Sequence, residues 1–205
     1  MPINRLIAGV KSFRRKYFEG RPEIYRDLVQ HGQHPEVMVI ACADSRVNPS
    51  IITEAAPGQL FVVRNVANLV PPYSPDGRPH GTAAALEYAV RDLDVDHIVV
   101  LGHTHCGGIK RLCDGAGNGP KREFIDDWVK IAETAREQEQ TGEDYLRAVE
   151  RNAVANSLDN LRSYPWVKAR LDSGDIEIHG FVFDLDGGNL HRMVDKGRWE
   201  AVLPA

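Results

Sequence analysis

Short runs of apolar residues follow one another along the chain, separated by longer amphipathic stretches. A run of four to eight apolar residues that ends in glycine or polar residues is typical of a strand buried on both faces of a parallel sheet. Such runs predict strands at residues 37–42, 60–64 and 98–101. Residues 176–183 alternate more weakly between apolar and polar positions, and they predict a further strand.

Helical periodicity fills most of the intervals between these strands. Apolar residues recur every three or four positions at residues 3–18, 82–93, 123–139 and 143–162, which predicts four helices. Strands that alternate with helices favour an α/β fold, with a mostly parallel central sheet flanked by helices. No linker or internal repeat divides the chain, so we predict a single domain over residues 1–205.

The helix predicted at residues 3–18 has one apolar face. Its apolar positions are Ile3, Leu6, Ile7, Val10, Phe13 and Phe18. An apolar helical face needs another surface to cover it. We therefore expect this N-terminal helix to pack on a partner subunit, so that the protein forms a homo-oligomer.

The charge of the chain limits its partners. There are 25 Lys and Arg residues against 29 Asp and Glu residues, a formal net charge of -4. A mildly acidic chain lacks the basic surface expected of a protein that binds nucleic acid or an anionic membrane. No apolar stretch approaches the roughly 20 residues that span a bilayer, and residues 1–20 lack a signal-peptide core. We expect a cytoplasmic protein.

Cysteine and histidine residues lie at the ends of two predicted strands. The three cysteines are Cys42, Cys106 and Cys113, an odd count that argues against a disulfide framework. Cys42 ends the first strand, and His103 and Cys106 follow the third, so all three reach the same edge of a parallel sheet. Two thiolates and one imidazole suit zinc and leave a fourth position open, as in catalytic sites. We predict one zinc ion per chain, with Cys113 outside the site.

Each of these signals has a simpler interpretation when it stands alone. A buried cysteine at a strand end is usually a small core residue. His105 is a competing ligand next to Cys106, although adjacent residues rarely both face one ion. Asp44 and Arg46 follow Cys42 closely, and they form either a structural salt bridge or an ionised pair that orients a metal-bound nucleophile.

Several segments together resemble the β-class carbonic anhydrases. The segments are 42–46, Cys-Ala-Asp-Ser-Arg; 64–70, Arg-Asn-Val-Ala-Asn-Leu-Val; and 102–108, Gly-His-Thr-His-Cys-Gly-Gly. Residues 32–33 and 70–73 resemble the plant-like subgroup of that family. The resemblance implies zinc on Cys42, His103 and Cys106, with Asp44 and Arg46 as a catalytic pair.

The resemblance also implies a substrate pocket. By position, Gln33 matches a glutamine that reaches across a dimer interface to bind substrate. The residues that match the small apolar pocket for carbon dioxide are Phe61, Val66, Tyr88 and Gly107. Asp92 occupies the position where some plant enzymes have a histidine proposed for proton transfer, so the route of the proton is open.

The expected activity is the reversible hydration of carbon dioxide to bicarbonate by zinc-bound hydroxide, in a dimer or a tetramer. Zinc supplies that nucleophile because it lowers the pKa of bound water to about 7. An alternative on the same scaffold is hydrolysis of carbonyl sulfide or carbon disulfide, which are linear electrophiles of the same kind. A non-catalytic zinc-containing binding module is a further alternative, but a structural zinc site has no need of the Asp44–Arg46 pair.

Overall fold

A six-stranded sheet forms the centre of the protein in the computed structural model, which describes residues 2–115, 120–136 and 143–202. The strands are β1 (Val37–Cys42), β2 (Leu60–Asn65), β3 (His97–His103), β4 (Glu177–Phe183), β5 (Leu190–Asp195) and β6 (Arg198–Ala201). Their order in the sheet is β2-β1-β3-β4-β5-β6. The first four are parallel, and β5 and β6 add an antiparallel edge. The predicted α/β fold with a mostly parallel sheet is confirmed.

Eight α-helices are described around this sheet. They are α1 (Ile3–Arg14), α2 (Pro22–His31), α3 (Pro49–Ile52), α4 (Gly81–Arg91), α5 (Gly107–Cys113), α6 (Ile125–Val129), α7 (Glu143–Arg162) and α8 (Pro165–Ser173). A π-helical turn at Arg15–Glu19 extends α1. No described helix is long and apolar enough to cross a membrane.

The single helix predicted at residues 123–139 is wrong. The structure has the short helix α6 and then a 3₁₀ segment, Lys130–Arg136, whose backbone leaves helical geometry at Ala132. Ala132 and Ala135 are buried, and their small side chains allow the tighter 3₁₀ turns to pack close to α7. Residues 137–139 lie outside the described part of the chain.

The two faces of the sheet are covered differently. Met38, Ile40 and Val100 face α4, α7 and α8 and form the main core with residues of these helices. Val39 and Ala41 point to the opposite face. The apolar residues described in that second cluster, among them Leu101, all belong to strands. One face of the sheet therefore packs against helices of the chain. The other, which we call the open face, has its central residues buried among neighbouring strand side chains, with no helix in the cluster of the described residues.

Glycines in β3 and β4 allow α7 to lie close to the covered face. A Cβ atom on Gly102 would lie 2.6 Å from Cγ2 of Val154, and one on Gly180 would lie 3.0 Å from Cγ1 of the same valine. Both distances are shorter than ordinary van der Waals contacts. The close packing of α7 on the sheet therefore requires residues without a side chain at these two positions.

We expect Gly102→Ala to destabilise the fold by about 1–3 kcal/mol, because the added methyl group overpacks the contact with Val154. Chemical denaturation should show a lower midpoint with an unchanged slope. Gly9→Ala is the matched control, because a Cβ built at Gly9 in α1 meets nothing within 4 Å apart from its chain neighbours and the helix's own backbone, and its midpoint should not fall. An unchanged midpoint for Gly102→Ala would mean that α7 adjusts without cost.

Candidate metal centre

Two adjacent parallel strands bring the three predicted ligands together. Cys42 is the last residue of β1, and His103 is the last residue of β3, which pairs directly with β1. Cys106 follows three residues later, at the position that caps the N-terminus of α5. Because both strands end at the carboxyl edge of the sheet, a strand end and a tight loop deliver all three side chains to one point.

The donor atoms of these residues are buried and close to one another. Cys42, His103 and Cys106 form a group whose ligand atoms all lie within 4.8 Å of each other. The two sulfur atoms are 4.0 Å apart. Two thiolates on one tetrahedral zinc ion, each at about 2.3 Å, are roughly 3.8 Å apart. The spacing therefore fits a shared zinc ion.

The orientation of the His103 ring also fits a metal ligand. Its Nδ1 lies 2.8 Å from the backbone carbonyl oxygen of Thr104, which fixes the proton on that nitrogen. The other nitrogen, Nε2, is buried and has no hydrogen-bond partner among the described residues. A buried polar atom without a partner is costly. A zinc ion between the imidazole and the two sulfurs removes that cost.

The contact between the two cysteines favours loss of the proton from one of them, Cys42. A hydrogen bond from the Cys106 thiol lowers the pKa of Cys42, and His103 and the backbone N–H of Ala67 act in the same direction. Cys113, at the end of α5, lies outside the ligand group, and its partial burial raises the pKa of its thiol. The same hydrogen bond and burial raise the pKa of Cys106, so without a metal the pair holds its thiolate on Cys42.

Asp44 and Arg46 form a bidentate pair beside the cluster. Nε of Arg46 donates to Oδ1 of Asp44 at 2.9 Å, and Nη2 donates to Oδ2 at 2.7 Å. The Arg46 guanidinium holds the pKa of the Asp44 carboxyl far below its usual range. Nη2 also donates to the carbonyl oxygen of His105 at 3.1 Å. The pair is therefore fixed to the loop that carries Cys106, with Asp44 ionised.

The competing ligand His105 points away from the cluster. Its Nε2 lies 2.7 Å from a carboxylate oxygen of Asp186, and Arg147 also contacts the ring. Its backbone has a positive φ of 57°. This left-handed conformation turns the side chain away from Cys106, and His105 is absent from the ligand group of the described residues.

Two supporting residues were not predicted as part of the site. Arg64 on β2 donates from Nε to the carbonyl oxygen of Cys42 at 2.9 Å and from Nη2 to that of Asp44, so it fixes the chain between Cys42 and the Asp44–Arg46 pair. Glu150 on α7 is buried and accepts the backbone N–H of Cys106 at 2.8 Å. Burial raises the pKa of Glu150, and a 2.8 Å hydrogen bond from Arg147 opposes this effect.

The sequence contains only weak signs that Arg64 and Glu150 contact the site. Arg64 belongs to a segment quoted for the family resemblance, but nothing in the segment indicates a bond to the backbone. Glu150 lies 44 positions beyond Cys106, on a helix where a single glutamate is typical of a solvent-facing position. Only the packing of α7 against the sheet reveals its contact.

The residues expected to bind substrate lie on several elements. Phe61 on β2 and Tyr88 on α4 are in contact, with ring centroids 5.9 Å apart. Val66 is partly exposed, and a Cβ atom on Gly107 would meet open space. Gln33 lies in the exposed segment between α2 and β1. Its side chain makes no hydrogen bond to any other residue that the structure describes.

The chain is similar over most of its length to known carbonic anhydrases. The family model described as carbonic anhydrase matches residues 37–190. A carbonic anhydrase of Synechocystis sp. is 36% identical over 194 residues, which cover 92% of this chain and 70% of the relative. The chloroplastic beta carbonic anhydrase 5 of Arabidopsis thaliana is 39% identical over 168 residues, which cover 79% of this chain and 55% of the relative.

Solved structures extend the similarity to the whole fold. The beta-carbonic anhydrase CcaA superposes with a TM-score of 0.89 at 33% identity, covering 99% of this chain and 92% of that one. A tetrameric beta-carbonic anhydrase from the filamentous ascomycete Sordaria macrospora superposes with a TM-score of 0.81 at 26% identity, covering 97% and 98% of the two chains.

Proposed function

Because the chain belongs to the β-class carbonic anhydrases, which hydrate carbon dioxide reversibly with zinc, we propose that Cys42, His103 and Cys106 hold that zinc ion. The observation that carries this assignment is the buried Nε2 of His103, which lacks a hydrogen-bond partner among the described residues and lies beside two buried sulfurs. When bound, zinc supplies a Lewis acid that makes water acidic enough to lose its proton near neutral pH.

Asp44 and Arg46 then orient the nucleophile. The carboxylate of Asp44 stays ionised beside Arg46, so it accepts a hydrogen bond and never donates one. The nucleophile must therefore carry a proton that it can donate to Asp44. This hydrogen bond orients the nucleophile so that its lone pair points toward carbon dioxide. Arg46 is a positioning residue, because its two bonds to the carboxylate set the direction of that acceptor.

Carbon dioxide has no charge and few polar contacts to offer, so its binding requires an apolar wall. We assign that wall to Phe61, Val66 and Tyr88, and we assign its border to the exposed backbone at Gly107. Gln33 completes the pocket from a neighbouring subunit, as its exposed position between α2 and β1 permits. Asp92, at the end of α4, is exposed and offers no imidazole to carry the proton onward.

Two unpaired apolar surfaces of one chain support a dimer. None of the residues of α1 is buried. Ile3, Leu6 and Val10 on this helix are between 49% and 66% exposed. On the opposite face of the sheet, Val62, Val99 and Phe181 are only partly buried, and the described residues of that cluster include none from a helix. We infer that α1 of one subunit covers the open face of the other, which buries both surfaces at once.

Val10→Asp is expected to weaken the dimer by at least ~10-fold, since a carboxylate would be buried without a partner in the interface. Light scattering after gel filtration should show a shift toward the mass of one chain, and activity should fall with it. Ser12→Asp, on the opposite side of α1, is the control and should remain dimeric. A native protein that is fully active as a monomer contradicts the dimer.

Higher assembly and location are further parts of the proposal. The Sordaria macrospora relative is tetrameric, and we propose that two dimers of this chain pair in the same way.

Three free cysteines, two of them metal ligands, suit a reducing compartment, so we propose a cytoplasmic protein without nucleic-acid or membrane partners.

Turnover by the purified protein tests the substrate assignment. Carbon dioxide hydration should proceed far above the uncatalysed rate, whereas carbonyl sulfide and carbon disulfide, supplied in parallel, should react at background. The relatives named above are carbonic anhydrases, which favours carbon dioxide. Faster turnover of either sulfur compound than of carbon dioxide would reverse the assignment.

A further inference from the structure

A second group of potential metal ligands lies at the end of the sheet opposite to the Cys42 cluster. His97 is the first residue of β3, Glu177 is the first residue of β4, and His179 follows two positions later. The strands pair His97 with Glu177 and Val99 with His179, so that the three side chains share one face of the sheet. Their ligand atoms lie within 4.8 Å of one another.

Two distances within this group match those around a tetrahedral ion. Nε2 of His179 is 3.2 Å from Nδ1 of His97 and 3.5 Å from Oε2 of Glu177. Nitrogen and oxygen ligands at about 2.0–2.1 Å from one zinc ion are roughly 3.3–3.4 Å apart. Both observed distances therefore lie within about 0.2 Å of the required value.

The surroundings of the group favour a cation. Asp96, Asp175 and Glu177 line an adjoining cavity of about 580 Å³. Arg170 also borders this cavity, but it is paired with Asp94 at 2.6 Å. Burial lowers the pKa of the His179 imidazole, His97 and Arg192 act in the same direction, and the Glu177 carboxylate opposes them. With 67% of the Glu177 side chain exposed, an ion can reach the group from solvent.

We propose that His97, Glu177 and His179 bind a divalent transition-metal ion such as Zn²⁺, at a site separate from the catalytic cluster. Two imidazoles and one carboxylate suit zinc, copper or nickel, and water completes the coordination. The ion links the first residues of β3 and β4. Because the unfolded chain does not hold these residues together, binding there stabilises the native state.

Zinc stoichiometry of the assembled holoenzyme tests the site. After dialysis against micromolar free Zn²⁺, elemental analysis should give two zinc ions per chain for the native protein and one for His97→Ala and for His179→Gln. Zinc titration should show the second ion bound at least ~10-fold more weakly in both variants. The melting temperature of the native protein should rise with added Zn²⁺, and that of the variants should not.

His34→Ala is the matched control, since His34 is exposed and belongs to neither ligand group. It should keep two zinc ions per chain. One zinc ion in the native protein, or two in both variants, would overturn the proposal and leave the 3.2 Å contact as a hydrogen bond between two histidines. Cobalt substitution separates the two sites, because only the Cys42 cluster gives intense thiolate-to-cobalt absorption. Loss of that absorption would contradict the catalytic assignment instead.

Discussion

Cys42→Ala is expected to abolish zinc binding at the Cys42 cluster and carbon dioxide hydration together, so that the variant holds one zinc ion per chain fewer than the native protein. The substitution removes one of two sulfurs that are 4.0 Å apart and leaves His103 and Cys106 as the remaining ligands. Loss of an outer partner of a metal ligand already weakens metal binding by about 10–100-fold, and loss of the ligand itself should exceed that. Elemental analysis and initial rates of hydration, measured on the same preparation, report both effects.

The chain provides its own control for this experiment. Cys113 is also a free, partly buried cysteine, but it lies outside the ligand group. Cys113→Ala should keep one zinc ion at the Cys42 cluster and normal turnover, which separates loss of a ligand from loss of a thiol. Cys42→Ser, which preserves the size of the side chain, guards against a packing defect. If Cys42→Ala keeps the native number of zinc ions per chain and normal turnover, the assignment of the cluster is wrong.

Arg46→Ala is expected to lower the rate of hydration by about 10²-fold or more while the zinc content stays the same. The size of the effect follows from lost orientation, since misplacing a positioned group by about 1 Å can cost ~10²-fold in rate. Without the guanidinium, the Asp44 carboxylate loses two hydrogen bonds, of 2.9 and 2.7 Å, and is free to turn toward the metal. Stopped-flow rates and metal analysis distinguish this result from loss of the metal centre.

Two further variants sharpen the test of the Asp44–Arg46 pair. Arg46→Lys keeps the charge but cannot form the bidentate contact, so its rate should lie between those of the native protein and Arg46→Ala. Arg198→Ala removes another arginine–carboxylate pair, with Asp195 on the hairpin of β5 and β6. That variant should hydrate carbon dioxide normally. Near-normal turnover in Arg46→Ala would mean that the pair is only structural.

The sequence predicts the parts of the site that are built from local features. Cys42 and His103 each end a strand whose apolar run is visible in the sequence, and parallel pairing alone places them together. Cys106 follows His103 by three residues, so one loop positions both. The same reasoning applies to Asp44 and Arg46, whose spacing of two residues permits the contact that the structure contains.

Other features depend on contacts between distant segments. The buried Glu150 reaches Cys106 because α7 packs on β3 and β4, and its helical pattern contains no sign of this contact. Strand β6 has four residues with only one half-buried side chain, Trp199, so its apolar signal is weak. The helix predicted at residues 123–139 is interrupted at Ala132, where tertiary packing overrides helical periodicity.

The close packing of α7 on the sheet limits which substitutions the chain can tolerate. Val154, which faces both Gly102 and Gly180, lies one helical turn from Glu150 on the same side of α7. A larger residue at either glycine would lift the helix and withdraw the carboxylate from the amide of Cys106. Gly102, Gly180 and Val154 should therefore vary together among related chains. A methyl group gained at Gly102 should be tolerated when Val154 becomes smaller, as in the double variant Gly102→Ala with Val154→Ala.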